Sequence, residues 1–334
     1  MTGRKIRWGV ISTGNIGRWA VIPAIKASRN GKLVAVASRQ LEKAEAFAAE
    51  LGIPKAYGSY EALLEAGDID AVYIPLPNSL HREWTIRSAE MGKHILCEKP
   101  LALNAQECLE MEAAARQYRV QLMEAFMYRF HPRTEKVMEM VHNGIVGELR
   151  LIHSAFTFRL TRPDNIRFKP ELGGGALMDV GCYCVNVSRT IAAAEPVEVQ
   201  AYARWGQSGV DEQMAGTLRF ADGLLAQFDC ALTIERREEV QLAGTDAFLT
   251  VQSAFLTGEK RVAIEEVRGR QEKKKHWIKG VDEYRLMVEH FADCVLQNQP
   301  PRYGASEAAA NMRVIEALFL SARRGGQPEA LHEG

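Results

Sequence analysis

Three groups of residues in this chain have types and spacings that can do chemistry. The first is the loop Ser12-Thr13-Gly14-Asn15-Ile16-Gly17, set between a short apolar run and a helix-period segment. Against the pattern G-x-G-x-x-G it keeps the second and third glycines and has Ser12 in place of the first. Gly14 would let the backbone approach a pyrophosphate, and Gly17 would let helix and strand pack closely. The N–H groups of Ser12, Thr13, Gly14, Asn15 and Ile16, at a helix start, would face the anion. A tight strand-to-helix turn that binds nothing has the same pattern. About 20 residues further on, an NAD-selective fold places a carboxylate for the ribose 2′-hydroxyl. Here Ser38 and Arg39 stand there, with Lys43 one turn into the next helix. A guanidinium suits bidentate contact with a phosphate, and no carboxylate repels it. That choice points to NADP, with NAD as second candidate; an arginine capping nothing is the plainer alternative.

The second group lies where open parallel sheets place their ligands, beyond the carboxyl ends of strands. Ile74 to His81 supplies Leu76, Pro77, Asn78 and His81 as cofactor contacts, and Cys97-Glu98-Lys99-Pro100 supplies Glu98 and Lys99. Pro100 stiffens the turn and directs Glu98 and Lys99 off the sheet edge. A lysine at a strand end reads equally well as a surface charge. The third group is Asp179 and Tyr183, i and i+4 on one helix face, after the run Gly173-Gly174-Gly175. The glycines would let that helix end approach a ligand; on pattern alone the pair also reads as an N-cap and a core tyrosine. Tyr128, Arg129, Phe158, Asn165 and Arg167 are candidates for a substrate wall, and a core or salt-bridge role fits each as well.

The elements that must position these groups divide at about residue 125. Before it, apolar runs at Ile6–Ile11, Lys32–Ala37, Ala71–Ile74, His94–Cys97 and Val120–Met123 alternate with helical segments at Ile16–Ser28, Leu41–Leu51, Leu80–Met91 and Asn104–Arg116. Such alternation predicts a doubly wound parallel sheet of the Rossmann type. Beyond it, a helix at Arg133–His142, a long strand at Glu148–Leu160 and a helix starting near Leu177 come first. Period-two alternation follows from Pro196, an Asp222-Gly223 hairpin signal, and short strands near Val240–Ala243, Phe248–Val251 and Val262–Val267. Helices at Glu283–Leu296 and Ser306–Ala322 close the chain. The expected architecture is therefore α/β over residues 1–125, plus an α+β domain with a mostly antiparallel open sheet over 126–334. Lys273-Lys274-Lys275-His276 reads as a solvated hairpin tip rather than a phosphate or nucleic-acid patch.

Composition narrows the function. The 334 residues suit two domains with real cores, and 42 basic against 42 acidic residues leave a formal net charge of zero. Neutrality argues against nucleic acid or an anionic membrane as partner. No uncharged stretch is long enough to span a bilayer, and the apolar run after Arg4, Lys5 and Arg7 is too short for a signal peptide. Six dispersed cysteines without CxxC spacing indicate neither a disulfide framework nor a metal site and suit a reducing cytoplasm.

Glu98-Lys99-Pro100 joined to the glycine loop resembles the Gfo/Idh/MocA family of NAD(P)-dependent oxidoreductases. The likeness extends to the strings Glu124 to Pro132, Asn165-Ile166-Arg167 and Pro170 to Tyr183, which look most like the branch of NADP-dependent D-xylose dehydrogenases and dimeric dihydrodiol dehydrogenases. The resemblance implies that Lys99 is the catalytic lysine, that Asp179 is the aspartate opening the second-domain helix, and that Tyr183 is the proton-transferring tyrosine. It also implies association as a homodimer or homotetramer through the second sheet. On this reading a hydride passes between a carbinol carbon of a small molecule and the nicotinamide. Tyr183 moves the hydroxyl proton, and Lys99 lowers the phenol's pKa from its ordinary value of about 10. Asp179 orients the substrate or keeps Lys99 charged. A sugar or polyol is the leading substrate class, and a trans-dihydrodiol or dicarbonyl is the alternative. A non-catalytic NADP sensor is the competing class. Ser12 and Cys184, the latter where the branch often has proline, depart from the pattern.

Overall fold

The computed structural model describes residues 3–270 and 272–331. The chain packs as two units: residues up to Met127 with Asp282–Ala309, and Tyr128–Val281 with the chain from Ala310 on.

In the first unit β1 (Ile6–Ile11), β2 (Gly31–Ala37), β3 (Lys55–Tyr57), β4 (Ala71–Ile74), β5 (His94–Cys97) and β6 (Leu122–Glu124) form one sheet of order β3-β2-β1-β4-β5-β6. Every neighbouring pair is parallel. Parallel strands are covered on both faces, and β4 is accordingly buried at all four positions. Between strands run α1 (Ile22–Ala27), α2 (Leu41–Leu51), α3 (Tyr60–Leu64), α4 (His81–Glu90) and α5 (Ala105–Gln117). Gly52 ends α2 in the left-handed region at φ 57°. Asn104 caps α5 by accepting the Glu107 N–H at 2.8 Å. Two short elements lacked a sequence signal, β3 with three residues and α3 with five.

The second unit begins with α6 (Pro132–His142), β7 (Leu149–Arg159) and α7 (Cys182–Ala192). It continues through β8 (Pro196–Trp205), β9 (Asp211–Phe220), β10 (Leu225–Ala231), β11 (Thr233–Gly244), β12 (Phe248–Gln252), β13 (Val262–Arg268) and β14 (Glu272–Ile278). After β14 the chain returns to the first unit with α8 (Glu283–Gln297), α9 (Ala305–Arg323) runs from the first unit into the second, and β15 (Glu329–Ala330) belongs to the second. The sheet order is β14-β13-β12-β11-β7-β10-β9-β8-β15, antiparallel except for the parallel pair β10 with β7. The basic run expected at a hairpin tip lies on the edge strand β14. There Lys275 pairs with Glu265 at 2.7 Å and His276 with Glu266 at 2.6 Å across β13. Charged side chains on an exposed edge discourage further strand pairing. Among the described residues no helix is long and apolar enough to cross a membrane.

Candidate functional site

The loop after β1 takes the path expected of a nucleotide loop. Ser12 has φ +117°, a conformation glycine adopts freely and other residues rarely, so the backbone follows a glycine path without the glycine. A Cβ on Gly14 would lie 2.9 Å from the carbonyl oxygen of Pro75, which follows β4. The loop is therefore pressed against the point where strand order reverses between β1 and β4, the crevice in which such sheets bind dinucleotides. At Gly17 the expected tight packing is not needed, because a Cβ there would meet Tyr73 and Pro75 at an ordinary 3.7 Å. A π-helical turn, Gly17–Val21, leads into α1. Thr13 and Gly14 are half-buried, while Asn15 and Ile16 are exposed. At the end of β2 the Ser38 hydroxyl accepts the Gln40 N–H at 3.4 Å, and Arg39 and Lys43 are exposed. These residues fit a phosphorylated dinucleotide: a glycine with no room for a side chain, N–H groups at a helix start, and two cations without a carboxylate at the strand end.

The loops after β4 and β5 are tied together. His81 is fully buried; its Nδ1 lies 3.0 Å from the carbonyl oxygen of Pro100 and its Nε2 lies 2.8 Å from that of Leu76. The ring therefore sits between the two loops; burial lowers its pKa, and a neutral ring carries one N–H, which donates to one of these two oxygens. Pro77 and Asn78 open a half-buried 3-10 turn, and Leu76 is buried. Glu98 is buried beside Tyr73, whose hydroxyl donates to its Oε1 at 2.5 Å. Lys99 is half-buried, and its N–H donates to Glu98 Oε2 at 3.3 Å.

In the second unit Asp179 sits in another π-helical turn, Leu177–Gly181, and Tyr183 in the first turn of α7. Single π turns recur at functional sites. Asp179 Oδ2 accepts from Arg167 Nε. The Arg167 guanidinium lies 5.7 Å from the centre of the Phe158 ring. Asn165 caps the Arg167 turn by accepting its N–H at 3.1 Å. Four predicted residues are thereby brought together: Phe158, Asn165, Arg167 and Asp179. The side-chain positions of Gly174 and Gly175 are closed by the chain itself. A Cβ on Gly174 would lie 2.4 Å from the Arg167 carbonyl oxygen, and one on Gly175 would lie 2.1 Å from Asp211 Oδ1. Their space is taken by the chain's own Arg167 turn and Asp211, whose Oδ2 accepts the Leu177 N–H at 2.7 Å. Tyr183 is 5% exposed, with its ring 5.4 Å from Phe156, 5.3 Å from Phe255 and 5.9 Å from Tyr128. Tyr128 is buried and donates to Asn186 Oδ1 at 2.6 Å; Arg129 is buried as well. Cys182 and Cys184 are buried small side chains, and burial pushes the Cys184 thiol up to about 12.

Sequence reasoning missed Tyr73, Phe156, Phe255 and Asp211. Phe156 was within reach, two residues before Phe158 and on the same face of β7. Tyr73 looked like one more apolar strand position. Asp211 lies 32 residues beyond Asp179, and no local pattern joins them.

A parallel sheet of this order, with a glycine loop at its reversal, defines the dinucleotide-binding class of α/β proteins. Residues 6–126 match the family described as "Oxidoreductase family, NAD-binding Rossmann fold", and residues 134–250 match the "GFO/IDH/MocA C-terminal domain". A D-xylose 1-dehydrogenase (NADP(+)) of Haloferax volcanii is 38% identical, covering 96% of this chain and 99% of that one. A trans-1,2-dihydrobenzene-1,2-diol dehydrogenase of Xenopus tropicalis is 36% identical, over 74% of this chain and 75% of that one. The crystal structure of a 3-ketoreductase from Actinomadura kijaniata with NADP and TDP-benzene superposes with a TM-score of 0.91 at 28% identity. It covers 95% of this chain and 98% of that one. This chain belongs to the Gfo/Idh/MocA family of oxidoreductases.

Proposed function

We propose that this protein is an NADP-dependent dehydrogenase or reductase acting on a hydroxyl, or the matching carbonyl, of a sugar or polyol. The first unit would hold the dinucleotide through Ser12 to Ile16, with Ser38, Arg39 and Lys43 at the 2′-phosphate. Leu76, Pro77, Asn78, His81, Glu98 and Lys99 would shape the nicotinamide end. The second unit would hold the substrate. The nicotinamide would supply the hydride chemistry; the protein's share is placement and proton movement. In the oxidation direction Tyr183 Oη takes the hydroxyl proton, and the Lys99 ammonium favours the phenolate and hydrogen-bonds the developing alkoxide. The aromatic walls around Tyr183 keep water from the proton path. Asp179, held by Arg167, orients the substrate hydroxyl, and Phe158 and Asn165 set the position of Arg167. A cytoplasmic setting and a homodimer or homotetramer formed through the second sheet belong to the same reading.

The observation that carries it is Tyr183, enclosed by Phe156, Phe255 and Tyr128 one turn after the Asp179–Arg167 pair. The likeness to a D-xylose dehydrogenase supports an aldose, and that to a dihydrodiol dehydrogenase supports a trans-dihydrodiol as second reading. A cofactor-reduction screen with NADP and NAD against aldoses, polyols, trans-dihydrodiols and dicarbonyls decides between them. Tyr183→Phe should lower kcat by about 10²–10⁴-fold, the range of a general acid–base group, while NADPH still binds. Near-full activity in that variant removes Tyr183 from proton transfer. NADPH binding without turnover on any of these substrates would favour a sensor.

A further inference from the structure

We propose that Tyr73 is a positioning residue for the cofactor: its hydroxyl fixes the Glu98 carboxylate, and so the Glu98–Lys99 turn, at a set height beneath the glycine loop. Tyr73 is fully buried on β4, the strand beside the β1 whose end opens into the nucleotide loop. Its Cε1 lies 3.7 Å from where a Cβ on Gly17 would sit, so the ring forms the floor under the first turn after that loop. From there the hydroxyl reaches across to β5's end and donates to Glu98 Oε1 at 2.5 Å. The other carboxylate oxygen accepts the N–H of Lys99 at 3.3 Å, while the Glu98 N–H donates to the Ile74 carbonyl oxygen at 3.2 Å.

One side chain therefore lies against the turn that follows the glycine loop and bonds the carboxylate next to Lys99. A carboxylate that is 8% exposed needs donors to remain charged. A phenol–carboxylate hydrogen bond this short belongs to the strong, charge-assisted kind. Tyr73 is also suited to stay a donor, because burial and the neighbouring Glu98 charge raise its pKa well above the ordinary phenol value. Phenylalanine would fill the same floor. The hydroxyl adds the link to Glu98.

The inference rests on Glu98 and Lys99 facing the cofactor, so the test separates the two claims. NADPH dissociation constants are measured by nicotinamide fluorescence for wild type, Tyr73→Phe, Glu98→Gln and the double variant. Tyr73→Phe should weaken NADPH binding about tenfold, the size of one buried charged hydrogen bond. In the Glu98→Gln background the same change should add about twofold or less, because its effect runs through the carboxylate. Wild-type binding by Tyr73→Phe, or equal losses in both backgrounds, overturns the proposal and leaves only a packing role. Glu98→Asp draws the carboxylate out of reach of Tyr73 with the ring untouched. It provides the same reading should Tyr73→Phe fail to fold, and wild-type affinity there overturns the proposal too. Turnover of Lys99→Met is measured alongside. Full activity in that variant removes Lys99 from the mechanism without altering the binding cycle.

Discussion

At the scale of single residues, Ser12 shows how a nucleotide loop keeps its path after losing a glycine. A non-glycine residue in such a conformation stores about 1–3 kcal/mol of strain. Glycine would remove that strain but widen the unfolded ensemble, at a cost of about 0.4–1 kcal/mol. Ser12→Gly should therefore stabilise the chain by about 0.5–2 kcal/mol and raise Tm by about 1–4 °C in differential scanning calorimetry. An unchanged or lower Tm would show that the surrounding loop accommodates serine without strain. The same scale shows what the sequence could express about the site. Lys99, Asp179 and Tyr183 take their proposed roles from the family resemblance, and the Arg167–Asp179 pair joins two residues placed in separate roles. Tyr73 could not be singled out, because a strand tyrosine reads as apolar until its hydroxyl is seen to have a carboxylate partner.

At the scale of elements, those bounded by proline or glycine were legible almost to the residue, as α2 before Gly52 and β4 before Pro75 show. The π turns at Gly17–Val21 and Leu177–Gly181 were not, since one extra residue in a turn leaves the apolar period nearly unchanged. The second of these turns depends on Asp211, which is 1% exposed and bonded to the Leu177 N–H. Burial pushes its carboxyl up to about 7, against the backbone N–H groups of Leu177 and Ala176 that favour the charged form. Between about pH 4 and 7 the folded chain then keeps a proton that the unfolded chain has released. Stability from this group is present at low pH and lost as pH rises through that window. His131 acts in the opposite direction: burial lowers its pKa to about 4, so its contribution falls as pH drops below 6.5. Asp211→Asn removes only the first effect. An amide that fits poorly against Leu177 costs the same at every pH, so the slope is the diagnostic quantity. The stability of Asp211→Asn relative to wild type should rise by about 1–3 kcal/mol between pH 5 and pH 8 in urea unfolding. Parallel pH profiles would mean that Asp211 is already ionised at pH 5.

At the scale of the whole molecule, the division of the chain into units follows packing rather than chain order. The helix α8 lies far along the sequence, after the last strand of the second sheet that precedes it, yet it belongs to the unit that carries the glycine loop. The sequence marked it as a closing helix within residues 126–334, but no local pattern said which sheet would cover it. Trp8 of β1 meets Phe291 with ring centres 5.5 Å apart, and Met287, Val288, Phe291 and Ala292 are all fully buried. The Asn30 side chain, just before β2, donates to the Glu289 carbonyl oxygen and to Asp293, each at 2.8 Å. Burying each large apolar side chain contributes about 1.5–3 kcal/mol, against a net stability of about 5–15 kcal/mol for a domain. Residues 1–127 alone are therefore an incomplete core. Phe291→Ala should cost about 3–5 kcal/mol, enough to unfold the first unit at much lower urea than wild type. If α8 is part of the dinucleotide unit, saturating NADPH should oppose that loss, restoring about 2.7 kcal/mol at a hundred times its dissociation constant. The same substitution would be blind to NADPH if the helix were independent of that unit. Urea unfolding followed by far-UV circular dichroism, with and without NADPH, reads both outcomes on one variant.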